Sequence, residues 1–136
     1  MSLVIDASVA LAWCFADEVS PVADATLERL TEEEALVPSI WPLEVANGLR
    51  TAERRGRLEL ADLARVRELL ISLPVRVETI ELDAALGEVS DLARNLELTA
   101  YDAAYLALAA RRGLPVATAD ERLKRACETA GVKLVE

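Results

Sequence analysis

Apolar and polar positions along the chain predict short strands separated by helices. Three apolar runs, at residues 4–5, 35–37 and 114–118, are short enough for strands buried in a sheet. Residues 75–80 alternate between apolar and polar side chains, and the apolar residues of 132–136 predict a last strand. The pattern therefore predicts a sheet of about five short strands.

The segments between these strands have the apolar spacing of helices. Helices are predicted over residues 8–15, 21–30, 40–54, 58–73, 83–96, 99–112 and 121–130. Ser20 before Pro21, together with Asp83 and Thr99, are typical N-cap signals, and Gly113 ends a helix. Strands that alternate with helices favour an α/β fold, with a parallel sheet and helices on both faces. No repeat or linker divides the chain, so residues 1–136 are predicted to form one domain.

Composition narrows the class of protein. The chain has 136 residues, 53% of them hydrophobic and 29% charged, which is typical of a folded domain rather than a disordered one. No apolar run is long enough to span a membrane. The two cysteines, Cys14 and Cys127, lie far apart and form no CxxC pattern. They are expected to be core residues in a reducing cytoplasm.

Charge and the absence of histidine limit the chemistry. The formal net charge is −9, so bulk attraction to nucleic acid is excluded unless cations lie between the carboxylates and the phosphates. The chain has no histidine, which excludes His-based triads, general bases and metal sites. Catalysis must use carboxylates, hydroxyls, Lys, Arg, Tyr or a metal ion held by oxygen.

Four acids occupy positions where a ligand crevice is expected. Asp6 ends the first strand and Asp120 follows the strand at 114–118, and ligands of parallel sheets bind at the carboxyl ends of strands. Glu44 and Asp102 lie in the first turns of helices that begin on the same side. Four negative charges in one crevice repel each other, which favours bound protons or a cation. Oxygen ligands without imidazole or thiolate suit Mg²⁺ or Mn²⁺.

Each acid also has a purely structural interpretation. Asp6 and Asp120 precede helices and are possible N-caps. Asp102 completes a Thr99-x-x-Asp102 capping box in which Asp replaces the usual Glu or Gln. Glu44 lies near a helix N-terminus, where negative charge favours the macrodipole. Both interpretations remain open from the residues alone.

Polar neighbours of the acids are candidate supporting residues. The hydroxyls of Ser8 and Thr118 lie beside two of the acids and are able either to bind a water or phosphate oxygen or to cap helices. Asn47, one turn after Glu44, either contacts the site or is an ordinary polar helix residue. Glu121 is expected to be an exposed first-turn charge.

A basic cluster and several apolar side chains are candidate binding surfaces. Arg50, Arg54, Arg55 and Arg57 surround Gly56, and they either contact RNA phosphates or complement a helix dipole. The apolar face of residues 58–73 is broad enough for a dimer surface or for a groove that takes a partner helix. The aromatic residues expected in the core or an interface are Trp13, Trp41, Tyr101 and Tyr105.

Three stretches resemble a known family, and they cover nearly the whole chain. "VIDASVAL", "PLEVANGL" and "TAYDAAYLALAARRGLPVATADERL" resemble PIN-domain ribonucleases, most closely the VapC toxins of bacterial and archaeal toxin–antitoxin pairs. The resemblance implies a three-layer α/β/α fold and metal-dependent RNA cleavage that leaves 5′-phosphate and 3′-hydroxyl ends. It implies that Asp6, Glu44, Asp102 and Asp120 hold Mg²⁺ or Mn²⁺, with Thr118 nearby. It further implies a homodimer and an antitoxin whose tail covers the groove and reaches the acidic site with a basic residue.

Other classes of protein fit less well. A haloacid-dehalogenase phosphatase needs a second Asp at the position of Ser8, and a response-regulator receiver needs a strand-end Asp where the arginines of residues 50–57 lie. A catalytically degenerate PIN fold that only binds RNA or protein is the main alternative. A nuclease of the same fold that cleaves DNA also remains open.

Overall fold

A four-stranded parallel sheet forms the centre of the fold. The computed structural model describes residues 1–136, and its strands are β1 (Ser2–Ile5), β2 (Glu34–Pro38), β3 (Val75–Glu78) and β4 (Val116–Ala117). Their spatial order is β3-β2-β1-β4, and each neighbouring pair is parallel. The predicted α/β class is therefore confirmed.

Helices connect the strands and cover the sheet. They are α1 (Ala7–Cys14), α2 (Pro21–Arg29), α3 (Trp41–Arg54), α4 (Leu60–Ser72), α5 (Leu82–Ala84), α6 (Ser90–Leu96), α7 (Ala100–Arg112) and α8 (Glu121–Ala130). Leu3, Val4 and Ile5 of β1 are all fully buried. Because successive side chains of a strand point to opposite faces, both faces of the sheet must be covered, as the predicted three-layer arrangement requires.

The order of the strands places a switch point beside β1. The chain passes outward from β1 to β2 and β3, then crosses back to β4 on the other side of β1. Ile5 of β1 is paired with Ala117 of β4, and the next backbone N–H, that of Asp6, donates to the Ala117 carbonyl at 3.2 Å. Asp6 and Thr118 therefore lie side by side, where open parallel sheets bind ligands.

Helices α7, α1 and α3 pack closely around the end of β1, where Asp6 lies. Helix α7 packs against β1, β2 and β4, and residues 103–109 within it are all buried. Helices α1 and α3 also pack together, and a Cβ added to Gly48 would lie 2.5 Å from Leu11 Cδ1. The missing side chain at Gly48 thus allows α3, which carries Glu44, to approach the helix that follows Asp6.

Two predicted helix starts are confirmed by side-chain caps. The Ser20 hydroxyl accepts from the backbone N–H of Ala23 at 3.2 Å, and Pro21 is the first residue of α2. The Thr99 hydroxyl accepts from the N–H of Asp102 at 3.1 Å. Each cap satisfies one of the unpaired N–H groups of a helix start.

Three predictions about elements require correction. The segment 132–136 forms only an isolated parallel bridge, Val116 with Leu134, because β4 is too short to pair with a full strand. Asp83 caps no helix: α5 begins at Leu82, and the Asp83 carboxylate accepts only from the N–H of Ala84. A π-helical segment, Ala85–Val89, interrupts the predicted helix of residues 83–96.

Both cysteines are buried and unpaired, as predicted. Burial raises the pKa of each thiol to about 11. The thiols of Cys14 and Cys127 are therefore protonated near neutral pH. None of the helices has the length and apolar character required to cross a membrane.

The close approach at Gly48 gives a testable prediction. Gly48→Val should lower the free energy of unfolding by about 1–3 kcal/mol, because the added methyl groups overlap Leu11. Gly87→Val is the matched control, since a Cβ there meets no atom within 4 Å. Urea unfolding of both variants measures the difference. Equal stabilities would show that α1 and α3 accommodate the side chain without cost.

Candidate active site

Asp6 lies at the centre of the candidate site and is held by three donors. It is only 5% exposed, at the carboxyl end of β1. Its Oδ1 accepts from the Ser8 hydroxyl at 2.6 Å and from the Val9 N–H at 3.1 Å, and its Oδ2 accepts from the Thr118 hydroxyl. The structure thus pairs this buried carboxylate with two hydroxyls and one backbone amide.

The hydrogen bonds do not fully compensate the burial of Asp6. Burial raises the pKa of Asp6 to about 6, against the opposing effect of its three donors, and the negative charge of Asp120 raises it further. A shift of this size corresponds to roughly 3 kcal/mol of unfavourable free energy for the ionised form. A nearby positive charge would remove this penalty.

Asp102 and Asp120 form the second part of the acidic cluster. Burial and the charge of Asp120 raise the pKa of Asp102, while the positive charge of Arg122 acts in the opposite direction. Asp120 therefore influences both Asp6 and Asp102, so the three carboxylates interact electrostatically, and we call them the acidic cluster.

Glu44 is held from α7 by a contact that the sequence analysis missed. The hydroxyl of Tyr105, a side chain only 1% exposed, donates to Glu44 Oε1. Burial raises the pKa of the Tyr105 phenol, and the hydrogen bond to Glu44 and the charges of Asp6 and Asp102 raise it further. One sequence signal for Tyr105 was available: it follows Asp102 by three residues, so both side chains lie on the same face of α7.

The capping interpretations are partly correct. Asp6 caps α1 through the Val9 N–H, and Asp120 caps α8 by accepting from the Arg122 N–H at 2.8 Å. The predicted capping box at Thr99 is incomplete, since the Asp102 carboxylate does not accept from the Thr99 N–H. The same carboxylates, those of Asp6 and Asp120, thus cap helices and also interact electrostatically with neighbouring acids.

The donor set fits a hard divalent cation, although the carboxylates are not gathered around one point. No group of three or more acidic or thiol side chains has a spacing that would hold a metal ion. Asp6 and Glu44 are turned towards hydroxyl groups, and Asp120 towards the start of α8. The chain has no imidazole and its thiols are protonated, so only oxygen ligands are available, as Mg²⁺ and Mn²⁺ prefer.

The predicted supporting residues fall into two groups. Ser8 and Thr118 contact Asp6, and Ser8 Oγ also accepts from the Ala119 N–H at 2.9 Å, which links α1 to the end of β4. Asn47 is exposed and makes no hydrogen bond through its side chain. Glu121 is also exposed and pairs with Lys124 at 3.4 Å, as expected for a first-turn charge.

The predicted arginine cluster lies at the other end of α3 from Glu44. Arg50 pairs with Glu53 at 3.1 Å, and Arg57 stacks 4.1 Å from the Phe15 ring centroid and pairs with Asp17. Arg54 and Arg55 are exposed and make no ion pair. Ten residues of helix separate Glu44 from Arg54, a rise of about 15 Å. Contact of this cluster with RNA stays a prediction.

An apolar groove of about 540 Å³ lies between α3 and α4. Its apolar lining includes Trp41, Val45, Leu49, Leu63, Leu70 and Ile71. The Trp41 indole N–H is buried and has no hydrogen-bond partner, and Ile71 is 83% exposed. The helical face of residues 58–73 is thus only partly covered.

Among the other aromatic residues, Tyr105 is buried, Trp13 is half-buried and donates to the Ala23 carbonyl, and Tyr101 is 58% exposed.

The sequence and fold are similar to those of known nucleases. The profile of the PIN domain matches residues 3–129. The VapC ribonuclease Mb0985 of Mycobacterium bovis is 35% identical over 123 residues, which cover 89% of this chain and 87% of that protein.

Two crystal structures share the fold. PAE2754 from Pyrobaculum aerophilum superposes with a TM-score of 0.68 and 26% identity, covering 93% of this chain and 87% of that one. VapC20 from Mycobacterium tuberculosis, described as a Sarcin-Ricin loop cleaving toxin, has a TM-score of 0.64 and 17% identity. That match covers 91% of this chain and 94% of the VapC20 chain.

The contact between Tyr105 and Glu44 gives a testable prediction. Tyr105→Phe should lower the free energy of unfolding by about 1–2 kcal/mol, because a part-buried carboxylate loses its donor. Tyr101→Phe, on the same helix but 58% exposed, is the control and should have little effect. Urea unfolding compares the two, and in a Glu44→Ala background the cost of Tyr105→Phe should disappear. An equal cost in both backgrounds would contradict the coupling.

Proposed function

The chain belongs to the PIN-domain family and, within it, to the VapC ribonucleases, and from this premise we propose that it is a metal-dependent endoribonuclease. The reaction is hydrolysis of RNA phosphodiester bonds. Asp6, Glu44, Asp102 and Asp120 are the proposed holders of Mg²⁺ or Mn²⁺.

One observation carries this proposal most directly. Asp6 is a buried carboxylate at the switch point of a parallel sheet, and burial raises its pKa to about 6 despite three hydrogen bonds, so its ionised form is less favoured than in water. Asp120 raises the pKa of Asp102 as well as that of Asp6. A divalent cation near Asp120 would offset the repulsion among these carboxylates, which a helix cap alone does not.

Each side chain of the site has a distinct proposed role in the reaction. When bound, Mg²⁺ or Mn²⁺ supplies acidity to the attacking water and stabilises charge on the phosphate and the leaving oxygen. Ser8 and Thr118 fix both oxygens of Asp6, and Tyr105 fixes the carboxylate of Glu44. Asp102, whose pKa is raised by burial and by Asp120, is suited to accept a proton from the attacking water. The bond from phosphorus to the 3′ oxygen breaks, which leaves a 5′-phosphate and a 3′-hydroxyl.

The proposed biological role is that of a toxin controlled by an antitoxin. VapC20 is described as a toxin that cleaves the Sarcin-Ricin loop, and we extend only the toxin role to this chain. The groove between α3 and α4 is apolar and borders the helix that carries Glu44, so it suits an amphipathic helix of an antitoxin. A basic residue following that helix would be attracted by the acidic cluster.

Two further features of the proposed role rest on the surface and on the cysteines. Leu60, Leu82 and Leu86 are each more than 70% exposed, which suits a homodimer interface. Cys14 and Cys127 are unpaired, which suits a reducing compartment such as the cytoplasm.

Cleavage of RNA is the first test. The purified protein should cleave a mixed RNA pool with Mg²⁺ or Mn²⁺ and lose this activity in EDTA. Asp102→Asn should reduce the rate at least about 100-fold, the contribution typical of a positioned proton acceptor. Asp91→Asn is the control, because Asp91 lies in the first turn of α6 but pairs with Arg94. Gel analysis of end-labelled RNA gives both the rate and the chemistry of the new ends.

Other outcomes of this assay separate the alternatives. Cleavage at the wild-type rate by Asp102→Asn would contradict the assignment of the site. Binding of RNA without cleavage under any metal condition would favour the degenerate PIN fold. Cleavage of DNA at a rate similar to that of RNA would contradict the ribonuclease assignment.

Metal binding has a separate readout that needs no substrate. Mn²⁺ should raise the melting temperature of the wild-type protein, because a cation bound only to the folded state stabilises it by about 2.7 kcal/mol at a concentration of 100 Kd. Asp6→Asn should abolish this increase, whereas Asp91→Asn should retain it. An increase of the same size in Asp6→Asn would place the metal elsewhere.

A further inference from the structure

Most basic side chains of this protein are already neutralised by an acidic partner. Among the residues without an ion pair, Arg122 and Arg125 are close in sequence and both are exposed. They lie three residues apart on α8, so their guanidinium groups project from the same helix face. Arg54 and Arg55 are also exposed and make no ion pair, but they lie at the other end of α3 from Glu44, whereas Arg122 follows Asp120 by two residues.

A groove of about 390 Å³ brings these arginines together with the end of α6. It is lined by Leu96, Glu97, Arg122, Arg125, Ala126 and Thr129. Two guanidinium groups against the single carboxylate of Glu97 give the groove a net positive charge, in a chain whose formal net charge is −9. Thr129 adds a hydroxyl, another group that binds phosphate oxygens.

The groove adjoins the acidic cluster. Arg122 follows Asp120 by two residues, and its backbone N–H donates to the Asp120 carboxylate at 2.8 Å. Helix α8 packs against α7, and the charge of Arg122 on α8 also acts on the carboxyl of Asp102 on α7. An RNA strand cut at the acidic cluster would therefore have its neighbouring phosphate within reach of Arg122.

We infer that the groove of Arg122 and Arg125 binds the RNA backbone beside the bond that is cut. This inference rests on the proposed ribonuclease function and specifies where the substrate is held. Arginine is well suited to the task, because its guanidinium matches phosphate oxygens in a two-pronged hydrogen bond. The two positive charges offset the repulsion between the acidic cluster and the phosphates on either side of the cut.

The alternative is that both arginines only adjust the field of the acidic cluster or keep α8 soluble. Arg122 acts on Asp102 in the RNA-free protein, so this reading accounts for part of its charge. It accounts for Arg125 only as a solvent-exposed charge, although Arg125 lines the same groove as Arg122. A binding measurement that is independent of cleavage distinguishes the two readings.

The test measures RNA affinity in a background that does not cut. In Asp6→Asn protein, a fluorescein-labelled 20-nucleotide single-stranded RNA of mixed sequence is titrated across a series of salt concentrations. Arg122→Gln with Arg125→Gln should weaken binding at least tenfold at low salt. The slope of log affinity against log salt should fall by about 1.4, as expected for the loss of two contacts to a single strand. Arg122→Lys with Arg125→Lys should restore much of the affinity.

A matched pair controls for net charge. Arg65→Gln with Arg76→Gln removes the same two charges from exposed residues on α4 and on the edge strand β3, away from β4. This pair should change affinity less than threefold. An equal loss in both pairs, or no loss in either, would overturn the inference. Wild-type cleavage in the metal-dependent assay tests the ribonuclease function separately, so failure of one does not imply failure of the other.

Discussion

The burial of Asp6 is the constraint on which the rest of the site depends. A carboxylate that is 5% exposed would be costly without donors, and its donors come from two distant parts of the chain. Ser8 and Val9 belong to the helix that Asp6 itself starts, whereas Thr118 arrives only when the chain returns to pair β4 with β1. The strand register that places Ile5 opposite Ala117 therefore also completes the environment of Asp6.

The positions of Glu44 on α3 and Asp102 on α7 depend on how closely these helices pack near the end of β1. Gly48 lets α3 pack against Leu11, so Glu44 is carried towards the end of β1. The hydroxyl of Tyr105, a buried residue of α7, then donates a hydrogen bond to the Glu44 carboxylate. Because α7 also carries Asp102, one helix both positions Glu44 and contributes its own acid. The site is thus assembled by packing in the core, and its geometry is coupled to the stability of the fold.

The sequence predicted the features that depend on neighbouring residues, namely the buried strands and the helix caps. The apolar runs at residues 4–5 and 35–37 form buried strands, and Ser20 and Thr99 cap the helices that follow them. The failures lie where tertiary packing decides. The last strand is reduced to a bridge by the short β4, and the π segment ends at Val89, which packs against alanines of α7. The spacing from Asp102 places Tyr105 on the same face of α7, but its partner Glu44 lies 61 residues away, so no local pattern identifies the pair.

An acidic protein is able to act on a polyanion only if the field near the cut differs from the field of the whole chain. Salt at physiological strength screens charges beyond about 8 Å, so the net charge of −9 matters less than the groups around the phosphate. In this fold most arginines are neutralised by neighbouring carboxylates, for example Arg111 by Glu78 at 2.5 Å and by Glu88 at 2.6 Å. Arg122 and Arg125 make no ion pair, and Arg122 lies beside Asp120 and acts on Asp102. The proposed groove places attraction for the RNA backbone next to carboxylates that repel it, and a cation between phosphate and acid would reduce that repulsion further.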